Sequence, residues 1–425
     1  MSTNLQRKRV LEKYLPDSQA KRLVILTGAR QTGKTTLAKE KYANLKYINL
    51  DSPENRDVIN NIHSASWGTS VGNAVLDEAQ KAPVVFEKVK YAFDEGSISF
   101  SVLTGSSQIL LLKKVRESLA GRAFFYELWP LMQCEMNGSE GKDSVPEPLL
   151  HSILSSGQLE RSLSKVPATL FGSEDTAYRD AEDFILRWGG MPALLHLNET
   201  ERWKWLKDYG YTYLERDLGD LARLDDLAPF RKFQRLAALR SGSLLNYSEL
   251  GRDAGVSVDT ARRYLEYLRI SYQTILLQPY YRNLTSSVVK TPKIYWLDVG
   301  ILRQLSGFRG EATGELYETM VISELVKWIK TVQLDVEVYF YRTRSGMELD
   351  VLIETEMGFI GMEIKYRDIV VGKDTQPMKK VASSLGNKWI GGIVVYRGDR
   401  IERIDEHQIW AVPSRRLFQA PVPVK

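Results

Sequence analysis

The stretch TGARQTGKTT, residues 27–36, decides how the N-terminal third of this chain is interpreted. It follows the apolar run LVIL and precedes LAKEKYA, so two glycines and a lysine stand at a strand-to-helix turn. Residues 28–35 fit the pattern G-x-x-x-x-G-K-[ST], in which backbone N–H groups wrap a polyphosphate. The following helix would direct the positive end of its dipole at the same phosphates. The stretch therefore predicts a phosphate-binding loop, or P-loop.

The motif assigns an expected role to each part of the loop. Lys34 is expected to reach the β- and γ-phosphates of ATP, and Thr35 to supply a hydroxyl for Mg²⁺. ATP and Mg²⁺ are therefore the predicted cofactors. The residues expected to contact the nucleotide are Gly28, Ala29, Arg30, Gln31, Thr32, Gly33, Lys34, Thr35 and Thr36.

Size and composition indicate a soluble globular protein. The chain has 425 residues, which suggests two to four domains, with 43% hydrophobic and 26% charged residues. No run approaches the roughly 20 apolar residues of a membrane span, and the N-terminus lacks the apolar core of a secretory signal. The single cysteine, Cys134, excludes an intrachain disulfide. We expect a cytoplasmic protein, and the net charge of +5 is compatible with a nucleic-acid partner without demonstrating one.

Four short apolar runs in the first 110 residues alternate with helical segments, which favours a parallel α/β sheet. They are LVIL (23–26), KYINL (46–50), AVLD (74–77) and SFSVL (99–103). Asp77 ends the third run and is expected to hold Mg²⁺ through water, while Glu78 would orient or deprotonate the attacking water. An acidic pair often only caps a helix, but its place downstream of a P-loop favours the catalytic role. After the fourth run, Ser106 or Ser107 would either sense the γ-phosphate or cap a helix.

These motifs resemble, in their order, the AAA+ ATPases. The match runs through GARQTGKT, LDEAQ, LTGSS and SLAGRAFFYELWPL (118–131), and it is similar to the bacterial and archaeal proteins that pair an AAA+ core with a DUF4143 region. The resemblance implies a homo-oligomeric ring, expected to be a hexamer, in which an arginine of one subunit completes its neighbour's site. Arg122 is the first candidate for this trans-acting or sensing arginine, with Arg216 and Arg30 as weaker ones. The alternative for Arg122 is an ordinary surface ion pair.

The middle of the chain carries two further motifs. RWGGMPALL (187–195) resembles the GG-x-P segment of the same family, within a helical lid. Residues 244–268 predict a helix-turn-helix: a first helix over 248–253, a turn, and a second helix over 257–268 with Ser257 as its N-cap. Arg262 and Arg263 lie on the second helix, which enters the major groove of DNA in such proteins. The alternative is a helix pair that contacts only protein.

The C-terminal third carries a second group of chemically active residues. A predicted helix over 314–330 contains Glu318, an extended run contains Asp350, and a strand over 358–367 contains Glu363-x-Lys365. Asp350 and Glu363 on paired strands can bind Mg²⁺. Lys365 shares a face with Glu363 and can position a water or stabilise a transition state. This is the chemistry of metal-assisted phosphodiester hydrolysis.

The arrangement resembles the PD-(D/E)xK nuclease superfamily, although Leu349 precedes Asp350 and the literal PD is missing. The resemblance implies a DNA-cleaving module, with branched, Holliday junction-like DNA as a plausible substrate. A nuclease-like fold that only binds is the alternative.

The predicted fold class is α/β. It comprises a P-loop AAA+ core with a parallel sheet (1–136), a linker and helical lid (137–225), a winged helix-turn-helix (226–300) and a PD-(D/E)xK nuclease-like α/β domain (301–425). The predicted function is an ATP-dependent DNA-processing machine. The alternative is a regulatory ATPase switch that recruits partners and has a silent nuclease-like fold.

Overall fold

The computed structural model describes residues 7–105, 119, 121–137, 144–213, 227–281 and 291–422. These residues form two sheets and the helices that cover them. The α-helices are Leu11–Tyr14, Lys34–Lys41, Pro53–Asn61, Trp67–Ser70, Val84–Asp94, Gln133–Met136, Leu149–Ser156, Leu159–Ser164, Ser173–Trp188, Glu199–Tyr213, Ala228–Ala238, Tyr247–Ala254, Val258–Ile270, Val299–Ser306, Gly314–Val332, Gln376–Leu385 and Ser414–Leu417.

The N-terminal sheet has five strands, all parallel, in the order β2-β3-β4-β1-β5. The strands are β1 (Arg22–Thr27), β2 (Lys46–Asn49), β3 (Ala74–Asp77), β4 (Phe100–Thr104) and β5 (Ala123–Glu127). The predicted parallel α/β sheet is confirmed, with each of the four predicted strands placed within one residue. Strands β3 and β4 are fully buried because helices cover both faces of a parallel sheet. The edge strand β5 was not predicted, and it leaves Phe124 and Phe125 exposed.

The second sheet has nine strands in the order β13-β14-β12-β11-β10-β9-β7-β8-β6. The strands are β6 (Ser243–Leu244), β7 (Thr274–Pro279), β8 (Lys293–Trp296), β9 (Glu337–Arg342), β10 (Glu348–Thr355), β11 (Gly358–Lys365), β12 (Trp389–Tyr396), β13 (Glu402–Asp405) and β14 (Ile409–Pro413). Strand β7 pairs with β9 in parallel, with Gln278 opposite Tyr339. Segments on the two sides of residue 300 therefore share one sheet.

The predicted helix pair of residues 244–268 is present as Tyr247–Ala254 and Val258–Ile270. Gly255 ends the first helix with φ +78°, a conformation that favours glycine. Ser257 begins the second by accepting a hydrogen bond from the Thr260 N–H at 3.1 Å. The antiparallel strands β6, β8 and β7 lie beside the pair. Whether this sheet acts as a wing stays a prediction.

A buried carboxylate joins the GG segment at residues 189–190 to the beginning of the C-terminal third. Asp298 accepts hydrogen bonds from the Gly190 N–H at 2.8 Å and from the Ile301 N–H at 3.0 Å, and it is only 4% exposed. The approach is close, since a Cβ atom on Gly189 would lie 2.1 Å from the Asp298 Oδ1 atom, and one on Gly300 would lie 1.9 Å from a backbone oxygen. Two motifs that are 108 residues apart are therefore the two sides of one contact.

None of the helices in the described ranges combines the length and apolar character that crossing a bilayer requires.

The first prediction concerns the Asp298 contact. Asp298→Ala leaves two backbone N–H groups without their acceptor, and each buried unpaired donor costs about 1–3 kcal/mol. We expect a marked fall in the urea midpoint of unfolding. Asn246→Ala is the matched control, because Asn246 is an exposed N-cap that accepts from a single N–H group and its loss typically costs about 1 kcal/mol. A midpoint for Asp298→Ala no lower than that of the control contradicts the assigned role.

Candidate functional site: a P-loop and a carboxylate–lysine cluster

The P-loop connects the central strand β1 to the Lys34–Lys41 helix. Gly28, Gln31 and Gly33 have φ values of +145°, +60° and +98°. A Cβ atom on Gly28 would lie 2.1 Å from the backbone oxygen of Leu128, so glycine is required there by a close approach of the backbone. Residues in this conformation turn successive N–H groups toward one concave surface, which binds anions.

Lys34 lies over the loop that precedes it. Its Nζ atom donates to the backbone oxygens of Gly28 at 3.0 Å and Ala29 at 2.7 Å, and the residue is only 7% exposed. The ammonium group is therefore held at the loop that would wrap a polyphosphate, as the motif predicts.

Asp77 is the centre of a hydroxyl network beside the loop. Its Oδ2 atom accepts from the Thr35 hydroxyl at 2.8 Å and from the Tyr47 hydroxyl at 2.6 Å, and its Oδ1 atom accepts from Thr104. Burial, followed by this hydrogen bond, raises the pKa of Tyr47. The two residues predicted to hold Mg²⁺, Thr35 and Asp77, are therefore brought into direct contact. Tyr47 and Thr104 were not predicted, because nothing in the sequence relates them to Asp77.

Glu78 follows Asp77 in a left-handed conformation with φ +56°, which is uncommon for a residue other than glycine. The Gln80 side chain donates to its Oε2 atom at 2.5 Å. Unusual backbone conformations of this kind cluster at functional sites, where the surrounding structure compensates their cost. The geometry thus places a restrained carboxylate directly after the Asp77 network.

Arg9 buttresses the P-loop from the N-terminal segment. Its guanidinium donates to the Thr32 oxygen at 2.6 Å and the Trp129 oxygen at 2.5 Å, and its Nε atom lies 3.2 Å from a Glu135 carboxylate oxygen. Arg9 was not predicted as a site residue, because its partners are 23 to 126 positions away in the sequence. A cavity of about 280 Å³ adjoins the loop, lined among others by Arg9, Thr36 and residues of the Pro192–His196 turn.

Tyr272 connects the helix-turn-helix to the residue before the P-loop. Its hydroxyl lies 2.8 Å from the Thr27 hydroxyl and donates to Glu127 at 3.0 Å. Its ring packs edge-on against Trp129, with centroids 5.1 Å apart. Burial raises the pKa of Glu127. Tyr272 comes two residues after the Val258–Ile270 helix, so that helix is anchored at the nucleotide-binding edge of the sheet.

Arg122 lies at the opposite end of the sheet from its own P-loop. Its neighbour Ala123 pairs with Leu23 at the beginning of β1, whereas the P-loop follows the end of β1. The strand between them is about 16 Å long. Arg122 is therefore distant from the P-loop of its own subunit, and the sensing role stays a prediction. Its Nε atom lies 2.6 Å from Asp94, and the trans-acting role stays a prediction. Ser106, Ser107 and Arg216 fall outside the described residues.

The C-terminal cluster forms across two paired strands. Val351 on β10 lies opposite Met362 on β11, which places Asp350 beside Glu363. Asp350 accepts from the Ile364 N–H at 2.8 Å. The remaining members complete what we call the carboxylate–lysine cluster, which consists of Glu318, Asp350, Glu363 and Lys365.

Lys365 and Glu318 approach this pair from different sides. The Lys365 Nζ atom lies 2.7 Å from Glu363 Oε1 and 3.8 Å from Asp350 Oδ2. Glu318, on the Gly314–Val332 helix, accepts from the Tyr295 hydroxyl at 2.5 Å and lies 3.4 Å from the Lys293 Nζ atom. The four residues that the sequence singled out are thus in one region of the structure.

The electrostatics of the cluster are those of crowded, buried acids. Burial raises the pKa of Asp350, and burial together with the Asp350 charge raises the pKa of Glu318. The same two causes raise the pKa of Glu363 to about 8. Burial acts to lower the pKa of Lys365, but the Asp350 and Glu363 carboxylates outweigh it and the pKa is raised. Lys365 therefore carries a positive charge. That charge does not fully offset the burial and repulsion that raise the pKa of each carboxyl group.

The cluster partly fits a divalent cation. The buried Glu363 Oε2 atom has no hydrogen-bond partner, which leaves a ligand atom available. Within the described ranges, however, no three or more histidine, cysteine, aspartate or glutamate side chains are arranged as a metal-binding group. Two carboxylates suffice for Mg²⁺, which usually keeps several waters. Asp350 and Glu363 are therefore the candidate ligands, and Glu318 is held by the Tyr295 hydroxyl and the Lys293 amine.

Arg262 and Arg263 are exposed on the second helix of the helix-turn-helix. The Arg262 guanidinium lies 4.8 Å from the centroid of the Tyr247 ring. Their exposure is compatible with contact to a phosphate backbone.

Three family models match successive parts of the chain: an AAA domain over residues 20–137, the domain of unknown function DUF8612 over 179–312, and the domain of unknown function DUF4143 over 313–417. The uncharacterized proteins Mb2031c of Mycobacterium bovis and Rv2008c of Mycobacterium tuberculosis are each 28% identical over 353 residues, which is 81% of this chain and 70% of theirs.

Two solved structures show more distant similarity. The Walker-type ATPase PABY2304 of Pyrococcus abyssi is 15% identical, with a TM-score of 0.39 over 69% of this chain and 94% of that one. The signal transduction ATPase PH0952 of Pyrococcus horikoshii is 11% identical, with a TM-score of 0.24 over 74% and 45%. The P-loop geometry and the match to the AAA domain over residues 20–137 together support a P-loop ATPase fold in the N-terminal part of the chain.

The second prediction tests this site. Lys34→Ala removes the ammonium group at the loop, and we expect loss of at least about 100-fold in ATP hydrolysis, since removing one stabilising donor commonly costs that much. Glu78→Gln should bind ATP normally yet hydrolyse it at least about 100-fold more slowly, because general base catalysis is lost. Phosphate release and binding of a fluorescent ATP analogue are the measurements.

Glu87→Gln, an exposed change in the same domain, should behave as the unaltered protein. Normal turnover in either Lys34→Ala or Glu78→Gln removes the assignment of the site.

Proposed function

We propose that this protein couples ATP hydrolysis in its N-terminal domain to metal-dependent processing of DNA by its C-terminal module. The observation that carries the proposal is the juxtaposition of Asp350, Glu363 and Lys365 across β10 and β11. That combination of acids and a charged amine serves phosphodiester hydrolysis. Branched DNA, such as a four-way junction, is the substrate class that the PD-(D/E)xK resemblance suggests.

On the ATP side, residues 28–33 and Lys34 would hold the triphosphate, and the cavity between Arg9, Thr36 and the Pro192–His196 turn would accept the base and ribose. Thr35 and Asp77 would hold Mg²⁺, which supplies positive charge to the phosphates when it is bound. The Glu78 carboxylate orients the attacking water and accepts its proton, and Gln80 holds that carboxylate in place.

On the DNA side, Asp350 and Glu363 would hold Mg²⁺, and a bound Mg²⁺ would supply Lewis-acid chemistry there. Lys365 lies 2.7 Å from Glu363 and 3.8 Å from Asp350, where its amine would stabilise negative charge on the phosphate or orient the water.

Two further parts belong to this proposal. Arg262 and Arg263 contact the DNA backbone, and the chain assembles into a hexameric ring in which Arg122 reaches the neighbour's ATP. The position of Arg122, away from its own P-loop, supports a role in another subunit. The mass of the ATP-bound assembly in solution measures the ring, and a monomeric ATP-bound protein excludes it.

A second candidate function is a regulatory ATPase switch whose C-terminal module only binds a partner. Two observations favour it: within the described residues no three-ligand metal group is formed, and Lys365 already makes an ion pair with Glu363. Under this alternative, ATP binding alters partner recruitment and no nucleic acid is cut.

The third prediction separates the two functions. Asp350→Ala and Lys365→Ala should each reduce DNA cleavage at least about 100-fold, because Lewis-acid stabilisation contributes several kcal/mol. ATP hydrolysis should stay largely intact, since the two sites use different residues. The measurement is incubation of linear, forked and four-way DNA with Mg²⁺ or Mn²⁺, with and without ATP.

Glu356→Ala, an exposed change in the turn between β10 and β11, is the matched control and should cut normally. If the unaltered protein cuts none of these substrates, the proposed nuclease activity is contradicted and the regulatory alternative is favoured.

The fourth prediction concerns the helix-turn-helix. Arg262→Ala combined with Arg263→Ala should weaken duplex binding, and the slope of log affinity against log salt should fall by about 0.9 for each lost phosphate contact. Arg161→Ala with Lys165→Ala removes the same charge from another exposed segment and serves as control. If the arginine pair changes neither affinity nor slope, the helix contacts protein instead.

A further inference from the structure

A basic cavity lies next to the carboxylate–lysine cluster. It has a volume of about 540 Å³ and lies between the Ser173–Trp188 helix, the Val299–Ser306 helix and the loop after the latter. We call it the arginine cavity. The charged and aromatic side chains that line it are Asp183, Arg187, Arg303, Arg309, Glu311 and Tyr366.

The three arginines approach the cavity in different ways. Arg303 is 3% exposed and donates to the Gly310 oxygen at 2.5 Å, and its buried Nε atom has no hydrogen-bond partner. Arg309 is exposed and lies over the Trp203 ring, 3.5 Å from its centroid. Arg187 makes an ion pair with Glu199 at 2.5 Å.

The charges in the arginine cavity are poorly balanced. Within the described part of the chain, neither Arg303 nor Arg309 forms an ion pair with a carboxylate. Of the two acids that line the cavity, Asp183 is already paired with Arg397 at 2.9 Å. Burial lowers the pKa of Arg303, and the positive charges of Arg187 and Arg309 lower it further.

A buried, incompletely paired guanidinium beside two others is costly unless an anion joins them, and the guanidinium fork matches a phosphate. The volume of the cavity is in the range that accommodates a group of nucleotide size. A duplex is too wide for it.

Tyr366 connects the arginine cavity to the carboxylate–lysine cluster. It follows Lys365 in the chain and lines both the arginine cavity and a neighbouring cavity of about 460 Å³ that contains Glu318 and Lys365. Its ring is 39% exposed and packs against Tyr317, with centroids 5.3 Å apart. An exposed aromatic ring beside a basic groove is the usual platform for a base of a single strand.

We propose that the arginine cavity binds a backbone phosphate of a single DNA strand whose neighbouring phosphodiester lies at the carboxylate–lysine cluster. Tyr366 stacks on the base between these two positions. This inference rests on the proposed function and deepens it, because it names an unpaired strand, such as the arm or flap of a branched DNA, as the part of the substrate that enters the site.

The test is a binding measurement that requires no cleavage. Fluorescence anisotropy with a labelled 20-nucleotide oligothymidylate is measured in EDTA on the full chain. Arg309→Gln and Tyr366→Leu should each weaken binding about 10-fold, because a base stack or a phosphate contact is lost. Arg309→Gln should also reduce the salt slope by about 0.7, the value for one phosphate of a single strand.

Arg161→Gln, an exposed arginine elsewhere, is the matched control and should leave the affinity and the slope unchanged. Both test positions are at least partly exposed, so the variants should fold, and their ATP hydrolysis should equal that of the unaltered protein. A methylphosphonate oligothymidylate, which lacks the phosphate charge, should bind Arg309→Gln and the unaltered protein equally.

The outcomes distinguish this inference from the function on which it rests. Arg309-dependent binding of the oligonucleotide without cleavage of any substrate supports the arginine cavity and removes the nuclease. Cleavage of branched DNA with unchanged oligonucleotide affinity and salt slope in Arg309→Gln and Tyr366→Leu keeps the nuclease and overturns the cavity's role. Failure of the unaltered protein to bind the oligonucleotide also overturns it.

Discussion

The buried carboxylate of Asp298 is the contact on which the arrangement of the other segments depends. It fixes Gly190 of the lid, and the Gly190 oxygen in turn accepts from the Leu131 N–H at 2.6 Å, just beyond the ATPase sheet. A side chain at Gly189 would collide with the Asp298 carboxylate, and one at Gly300 would collide with the backbone oxygen of Trp188. Segments at Leu131, Gly190 and Ile301 therefore meet through backbone groups. The Asp298 carboxylate accepts hydrogen bonds from two of the backbone N–H groups. A buried acid is tolerated here because hydrogen bonds replace its hydration.

The same region brings the two candidate sites into physical connection. The Gly314–Val332 helix carries Glu318 at the carboxylate–lysine cluster. One to three turns further on, Glu324 accepts from the Gln133 N–H at 2.8 Å and Lys327 donates to the Leu131 oxygen at 3.1 Å. One rigid helix thus contacts both the end of the ATPase domain and the cluster. Tyr272 provides a second connection, from the helix-turn-helix to Thr27 before the P-loop. These contacts join the N-terminal domain to the C-terminal module through packed and hydrogen-bonded elements.

Local features of this protein could be predicted from its sequence, and long-range ones could not. Strands β1 to β4 are short apolar runs next to recognisable motifs, and the helix pair has caps that Ser257 and Gly255 mark. The role of Tyr272 depends on a partner 245 residues away, which no periodic pattern records. Strand β5 was not predicted, because its residues lie within the stretch 118–131, which was compared with the AAA+ ATPases as one motif. That omission also concealed the position of Arg122, since only the pairing of β5 with β1 shows which end of the sheet it occupies.

The two candidate sites surround their buried carboxylates with different chemical groups. Around Asp77, three neutral hydroxyls, those of Thr35, Tyr47 and Thr104, donate hydrogen bonds to the carboxylate. In the carboxylate–lysine cluster, Asp350 and Glu363 lie beside each other, and burial and mutual repulsion raise the pKa of Glu363 to about 8. Such crowding costs stability. In this structure the Lys365 ammonium group offsets part of the repulsion between the two acids, at 2.7 Å from Glu363 and 3.8 Å from Asp350.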